Sequence, residues 1–231
     1  MENVENTHAS VVLDPRLDLS LKINEIFYSI QGESSLAGWP TVFVRTTGCN
    51  IRCNYCDTKY SYYEGSKLKV EEIVQKIESY KARHVCLTGG EPMAQPHAIP
   101  FMKLLCDLSY ITSLETNGYY DTSSVDPRVI KVIDIKTPGS DEGNSFNFKN
   151  LEALLPHDQI KFVICNDDDY LWAKNLIFEK SLYKKCTVFL SPAFGTVSNK
   201  TLAEKILADS LPARLQLQLH KYIWSADLRG V

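Results

Sequence analysis

No apolar run in this chain approaches the length needed to cross a bilayer. The first ten residues, MENVENTHAS, hold no basic stretch followed by an apolar one, so a secretory signal is not expected there. An excess of one charge is also lacking. Lysine and arginine number 25 against 28 acidic residues, a formal net charge of −3, and no long basic run breaks the balance. A nucleic-acid-binding module normally carries a basic stripe, so direct contact with tRNA or DNA is disfavoured. The chain has no strong internal repeat, no low-complexity tract and no linker of the kind that separates domains. Paired cysteines are lacking too. The seven cysteines form an odd number, whereas an oxidised secreted framework usually has an even one. A reducing cytoplasm, with thiols free to bind metal, is the expectation.

What is present is a globular composition: 44% hydrophobic and 23% charged over 231 residues, enough for one sizeable domain. Residues 1–20 are polar and unpatterned and are expected to form a loose arm. Residues 21–231 then read as a single domain. A strand is expected over 21–30, a turn-rich loop over 31–40 and a β-branched strand over 41–46. Val70, Ile73, Val74 and Ile77 make a helical stripe. Strands are expected at 84–88, 111–115, 129–135, 160–164, 187–190 and 215–219, with helices near 99–108, after Asn166, and over 198–209. This alternation predicts an α/β fold with a parallel sheet and helices outside. About six βα units are present, short of the eight of a closed TIM barrel, so the expectation is an incomplete (βα)6 TIM-like barrel. Polar residues and glycines collect after the strands, where parallel α/β proteins bind ligands.

One stretch organises the rest: Gly48-Cys49-Asn50-Ile51-Arg52-Cys53-Asn54-Tyr55-Cys56-Asp57-Thr58. Its cysteines are spaced C-x3-C-x2-C, and no fourth follows in the loop. A closed structural zinc site wants four protein ligands. Three thiolates on a four-iron cluster leave one iron open. Spacing alone leaves zinc in contention, completed by a distant residue such as His84 or Cys86, and with it a zinc-binding interaction protein. One βα unit later comes Thr88-Gly89-Gly90-Glu91-Pro92. Paired glycines let a backbone approach a ligand that a Cβ would hold off. Cys86, Cys106, Cys165 and Cys186 sit in or beside apolar elements and read as buried free thiols. Asp167, Asp168 and Asp169 read as a helix N-terminus, where carboxylates are favourable.

The cysteine loop and glycine loop together resemble the radical S-adenosylmethionine (SAM) superfamily. Further segments resemble the 7-carboxy-7-deazaguanine synthase family within it: Asn24 to Glu33 (NEIFYSIQGE), Phe43-Val44-Arg45, Cys56-Asp57-Thr58 and Leu219-His220-Lys221. The resemblance implies a radical SAM barrel with a 4Fe–4S cluster on Cys49, Cys53 and Cys56. It implies S-adenosylmethionine as a regenerated cofactor, chelating the open iron, and a magnesium ion on Thr58. The implied reaction converts 6-carboxy-5,6,7,8-tetrahydropterin to 7-carboxy-7-deazaguanine with loss of ammonia, within queuosine and 7-deazapurine biosynthesis. The implied partners are an external electron donor such as flavodoxin and a second copy of the chain, in the cytoplasm.

Carried over residue by residue, the resemblance gives substrate contacts to Ile30, Gln31, Gly32, Glu33, Arg45, Thr88 and His220, and to the terminal carboxylate of Val231, so that the C-terminal tail enters the active site. It gives S-adenosylmethionine contacts to Tyr55, Cys56, Asp57, Gly90, Glu115, Asn117, Asp134, Ile135, Lys136, Ser191, Pro192, Ala193 and Phe194. Two departures stand out. Ser34 occupies a position that is commonly glycine in that family, and Asp134-Ile135-Lys136 stands in place of Ser-Pro-Lys. The nearest enzyme rival is a glycyl-radical-enzyme activase, which would need a groove for a protein backbone.

Overall fold

The computed structural model describes residues 14–225 and 228–231. Of the arm expected over 1–20, residues 1–13 therefore lie outside the described residues. From residue 14 on the chain is tied down, which differs from a loose arm. Asp14 accepts from the Arg16 N–H at 2.9 Å and caps a 3₁₀ turn, Pro15–Asp18. Leu17 and Leu19 then pack on the core, because two apolar side chains on this short stretch gain more by burial than by exposure.

The described strands are β1 (Ser20–Ile30), β2 (Pro40–Thr46), β3 (Ser66–Lys69), β4 (His84–Gly89), β5 (Ile111–Thr116), β6 (Ile130–Asp134), β7 (Gln159–Ile164), β8 (Thr187–Pro192) and β9 (Arg214–Leu215). The helices are α1 (Val70–Glu78), α2 (Ala98–Asp107), α3 (Asp167–Glu179), α4 (Asn199–Ala208) and the single turn α5 (His220–Ile223). All strands join one sheet in the order β3-β1-β2-β4-β5-β6-β7-β8-β9. From β2 through β9 the neighbours are parallel, and β1 runs antiparallel to β2 and β3. Six full parallel strands, unclosed, make the incomplete (βα)6 barrel.

Local sequence explains most elements. In α1, Val70, Ile73, Val74 and Ile77 are all buried, as spacing of three and four on a 3.6-residue helix requires. Its start is fixed by Glu72, whose carboxylate accepts from the Lys69 N–H at 2.7 Å. In α3, Asn166 caps by accepting from the Asp169 N–H at 2.9 Å, and Asp167, Asp168 and Asp169 fill the first turn, where the helix dipole favours them.

Two stretches depart from regular strand–helix alternation. The crossover after β5 contains no helix, and the one after β6 holds two 3₁₀ turns, Pro138–Ser140 and Phe148–Leu151, and no α-helix. The strand expected over 215–219 is cut to Arg214–Leu215. Gln216 still donates to the Leu190 carbonyl at 2.9 Å, but by Leu219 the N–H has turned to the Gly32 carbonyl at 3.0 Å. The apolar alternation in this stretch is spent on meeting the first loop of the chain.

The sheet divides its residues by the period of two. Val42, Val44, Val85, Leu87 and Leu114 face the helices in one buried cluster, and Ile133, Ile160, Phe162 and Ile164 in another. Their alternates face the barrel interior. The antiparallel course of β1 puts Ile30 opposite Pro40. The 31–39 loop therefore covers the end where the parallel strands begin. The cysteine loop leaves at the other end, after Thr46, which pairs with Gly89. Among the described residues no helix is long and apolar enough to cross a membrane.

Candidate active site

A cavity of about 630 Å³ occupies the barrel interior between those two loops. Its cysteine-loop end is built by backbone contact. The Gly48 carbonyl accepts from the Glu91 N–H at 2.7 Å, and the Thr46 carbonyl accepts from the Gly90 N–H at 3.2 Å. A Cβ on Gly90 would collide with the Gly48 carbonyl, and one on Gly89, at φ +139°, with the Thr46 backbone. The glycine pair is thus demanded first by the cysteine loop lying on it. Beneath it, the buried Glu91 carboxylate accepts from the Thr116 hydroxyl (2.7 Å) and from the N–H groups of Asn117 (2.7 Å) and Met93 (2.9 Å).

The loop is pinned on its other flank as well. Asn54 donates to the Ser140 and Gly139 carbonyls and to Asp141. Arg52 holds the Cys49 and Ile51 carbonyls at 2.8 and 2.7 Å, and its guanidinium lies 4.4 Å from the Tyr62 ring centre. Asn117 donates to the Asn50 side chain at 2.9 Å and accepts from the Tyr119 N–H, so its amide is used in holding the loop.

Cys49, Cys53 and Cys56 all reach the cavity wall. Burial raises the Cys49 thiol and pushes Cys53 up to about 11, so thiolates here need a positive partner such as iron. Among the described residues no three His, Cys, Asp or Glu side chains converge on a single-ion position. Neither candidate for a fourth zinc ligand is available. His84 stacks on Trp39 at 5.1 Å, at the strand-start end, and Cys86 is fully buried in β4. Three thiols at a cavity wall, held by a close backbone cradle, fit a cluster and not a mononuclear zinc. Of the remaining cysteines, Cys86 and Cys186 are buried as expected, while Cys106 and Cys165 are only half-buried.

The middle of the cavity carries charge. Lys136 pairs with Asp134 at 2.9 Å and lies 5.5 Å from the Tyr55 ring centre. Both Asp134 Oδ1 and the Tyr55 hydroxyl are buried in the cavity wall without a partner among the described residues, the kind of unsatisfied group that a ligand would complete. Asp57 accepts from the Thr58 hydroxyl at 2.8 Å and pairs with Lys221 at 2.8 Å. Lys221 lies 4.8 Å from the centre of the Phe194 ring.

Toward the 31–39 loop, Glu115 accepts from Thr88 at 2.8 Å and from Gln31 at 3.4 Å. Arg45 reaches Glu25 through Nε at 2.7 Å, and among the described residues its terminal nitrogens, a planar fork suited to carboxylates, are unspent. Tyr60 donates to the same Glu25 oxygen at 2.9 Å and lies 3.8 Å below the Arg229 guanidinium. Burial pushes the Tyr60 hydroxyl up to about 12. Glu33 is held by Lys161 (2.8 Å) and Gln218 (2.8 Å). Burial pushes its carboxyl up, and the Lys161 charge more than offsets this, leaving it below the usual range. His220 covers Gly32 so closely that a Cβ there would strike its ring, and burial lowers the His220 imidazole.

Every residue to which the resemblance gives a cluster, magnesium, cofactor or substrate contact lines this cavity, Thr58, Ser191, Pro192, Ala193 and Val231 included, with one exception. Ile135 is fully buried in the helix-side cluster. It lies between Asp134 and Lys136, and with a period of two it must face away when they face in. Sequence reasoning missed Lys161, Gln218, Lys221, Tyr60 and Arg229 in the wall. Lys161 had a signal: Gln159 and Lys161 alternate with apolar residues in β7, so they share the inner face. Lys221 stands in the Leu219-His220-Lys221 segment of the resemblance, which gave it no role, and Gln218, Tyr60 and Arg229 carry none.

An incomplete barrel with three cysteines at one end of its cavity defines a radical SAM protein, and the profile described as Radical SAM superfamily matches residues 43–134. The crystal structure of QueE from Escherichia coli has the same fold, with a TM-score of 0.72 at 24% identity over 86% of this chain and 94% of that one. The 7-carboxy-7-deazaguanine synthase of Chlorobaculum tepidum is 44% identical over 91% of this chain and 97% of its own. That of Koribacter versatilis is 40% identical over 91% and 100%. The chain belongs to the 7-carboxy-7-deazaguanine synthase family. Membership carries with it an iron–sulfur cluster and S-adenosylmethionine.

Proposed function

We propose that this protein is a carbon–nitrogen lyase that converts 6-carboxy-5,6,7,8-tetrahydropterin to 7-carboxy-7-deazaguanine with release of ammonia, in the route to queuosine and other 7-deazapurines. The observation that carries this reading is one continuous cavity. It joins three cysteines beyond the strand ends to Arg45, Thr88 and Glu115 on the strands and to Glu33 on the 31–39 loop. Identity of 44% along almost the whole of a 7-carboxy-7-deazaguanine synthase supports it.

The cluster and S-adenosylmethionine, when bound, supply the radical that takes a hydrogen from C6 of the pterin. Cys49, Cys53 and Cys56 hold the cluster. Tyr55, Gly90, Asp134, Lys136 and the Ser191–Phe194 turn border the cofactor, with Asp134 Oδ1 as an acceptor for a hydroxyl. Arg45 turns its terminal nitrogens to the pterin carboxylate. Gln31, Gly32, Glu33 and Thr88 bind the ring, and His220 and Val231 close over it. Thr58 offers its hydroxyl oxygen to magnesium, a hard cation that takes its other ligands from substrate and water. The buried walls keep water from the reacting carbon. An external reductant such as flavodoxin, a homodimer and a cytoplasmic location complete the reading.

The test is anaerobic reconstitution with iron and sulfide, reduction, and incubation with S-adenosylmethionine, magnesium and the carboxytetrahydropterin. Mass spectrometry is expected to find the deazapurine and ammonia. A reduced, cluster-loaded protein that leaves the pterin unchanged would exclude this substrate.

A further inference from the structure

Lys161 is a single buried ammonium between two carboxylates that belong to different regions of the cavity. It lies 2.8 Å from Glu33, on the 31–39 loop, and 3.2 Å from Asp134, at the end of β6. An ammonium has three donors, and these contacts use two. The Glu33 carboxylate receives its second donor from Gln218 at 2.8 Å, so both of its oxygens are fixed from outside the loop that carries it. No other lysine or arginine among the described residues pairs with Glu33, whereas Asp134 has Lys136 as well. Lys161 is therefore replaceable as a counter-charge for Asp134 and irreplaceable for Glu33.

We infer that Lys161 is a positioning residue: it holds Glu33 ionised and aimed at the polar edge of the substrate, and so sets substrate affinity without touching the reacting atoms. This rests on the pterin being the substrate. A pterin presents a row of N–H donors on its pyrimidine edge, and an anionic carboxylate with fixed oxygens is the complementary acceptor. The polypeptide segment that bears Glu33 is a loop, which needs outside contacts to fix it. Lys161, on β7, and Gln218 supply them.

The charged and titratable groups around the pair decide the effect of pH. They are Asp134 and Lys136 at the end of β6, Glu115 on β5 and His220 after β9. Burial opposes ionisation of Glu33, the Lys161 charge overcomes it, and the balance lies below the ordinary glutamate value. With Lys161 gone, only the Gln218 hydrogen bond and the weaker His220 contribution oppose burial, and the Glu33 carboxyl rises. The acid limb of kcat/KM then moves to higher pH.

The experiment compares wild type, Lys161→Met, Lys161→Arg and Gln218→Leu as reconstituted holoenzymes, with iron content and circular dichroism as checks on integrity. Lys161→Met is expected to raise KM for the carboxytetrahydropterin by about tenfold or more, since a buried bond to a charged group is lost. Its kcat at saturation is expected to fall far less, and its acid limb to move up in pH. Lys161→Arg, which keeps the charge, restores the wild-type limb. Gln218→Leu raises KM by a smaller factor and, should Lys161→Met fail to fold, carries the decision. Unchanged KM and pH profile in Lys161→Met, or unchanged KM in a folded Gln218→Leu, overturns the inference. So does loss of kcat without a rise in KM. Wild type without turnover of this pterin would count against the proposed reaction instead, so the two failures are distinct.

Discussion

Gly90 rests directly on Gly48, so closely that any Cβ on the first would overlap the carbonyl oxygen of the second. The carbonyl has nowhere to retreat, because it also accepts the Glu91 N–H at 2.7 Å. Two glycines 42 positions apart in the chain thus form one joint, and the cysteine next to Gly48 is set by it.

Replacing Gly90 with Ala is expected to displace Cys49 and lower cluster loading more than it lowers overall fold. Iron and acid-labile sulfide per chain after reconstitution should drop to a small fraction of wild type, with far-ultraviolet circular dichroism retained. Full loading would mean that the joint does not set the loop.

Alanine at Cys49, Cys53 or Cys56 is expected to abolish the cluster absorption and activity together. Alanine at the half-buried Cys106 or Cys165 is expected to leave iron content near wild type. A fall of iron in the Cys165 variant as large as in the loop variants would assign a fourth ligand.

Glu91 serves stability. Glu91→Ala strands the Thr116 hydroxyl and the Asn117 N–H inside the protein, a loss of about 2–4 kcal/mol. For a chain of this length that is a fall in Tm of roughly 5–15 °C. Thermal unfolding of the apoprotein measures it without the cluster. Glu91→Gln, which keeps one acceptor oxygen, should cost about half as much.

The Asp57–Lys221 pair gives a pH dependence of known sign. Burial pushes the Asp57 carboxyl up, and the charge of Lys221 and its hydrogen bond, with the Thr58 hydroxyl, bring it down to about 2. Its folded value lies below its ordinary value of 3.8. The pair therefore contributes fully above that ordinary value and fades as pH falls to about 2. The Asp57 side chain is 48% exposed, so water screens the pair and the contribution stays within about 1 kcal/mol. Urea unfolding of wild type and Asp57→Asn should give a stability difference that is constant near neutrality and vanishes across this acid window. A difference unaltered by acid would remove the pair from the account.

Much of this site is legible in the sequence because its signals are local. Cysteine spacing, the glycine pair and strand-end polar residues sit within short stretches, and a parallel sheet delivers strand ends to one place. The inner face of β7 is also readable, since Lys161 follows Gln159 by two, and the same rule turns Ile135 outward. What stays hidden depends on contacts distant in sequence. Nothing near Gln218 or Lys221 says that this segment abandons strand geometry to meet Gly32 and Asp57. Likewise nothing near Gly90 names Gly48 as its neighbour. The crossovers after β5 and β6 look like ordinary alternation, yet their ordering comes from side chains such as Asn150, which donates to the Gly118 and Tyr120 carbonyls.

The antiparallel β1 has a consequence in time. It sends the 31–39 loop to the strand-start end, where its partners are made almost last: the Gln218 amide bonds Glu33 across 185 positions, and Leu219 bonds the Gly32 carbonyl. Contacts of such separation form late, because the chain between them must be ordered first. During synthesis from the N-terminus, the cysteine loop and the glycine loop that braces it emerge long before the segment that closes the pterin end. A nascent chain can thus present its thiols to iron while its substrate chamber is still open on one side.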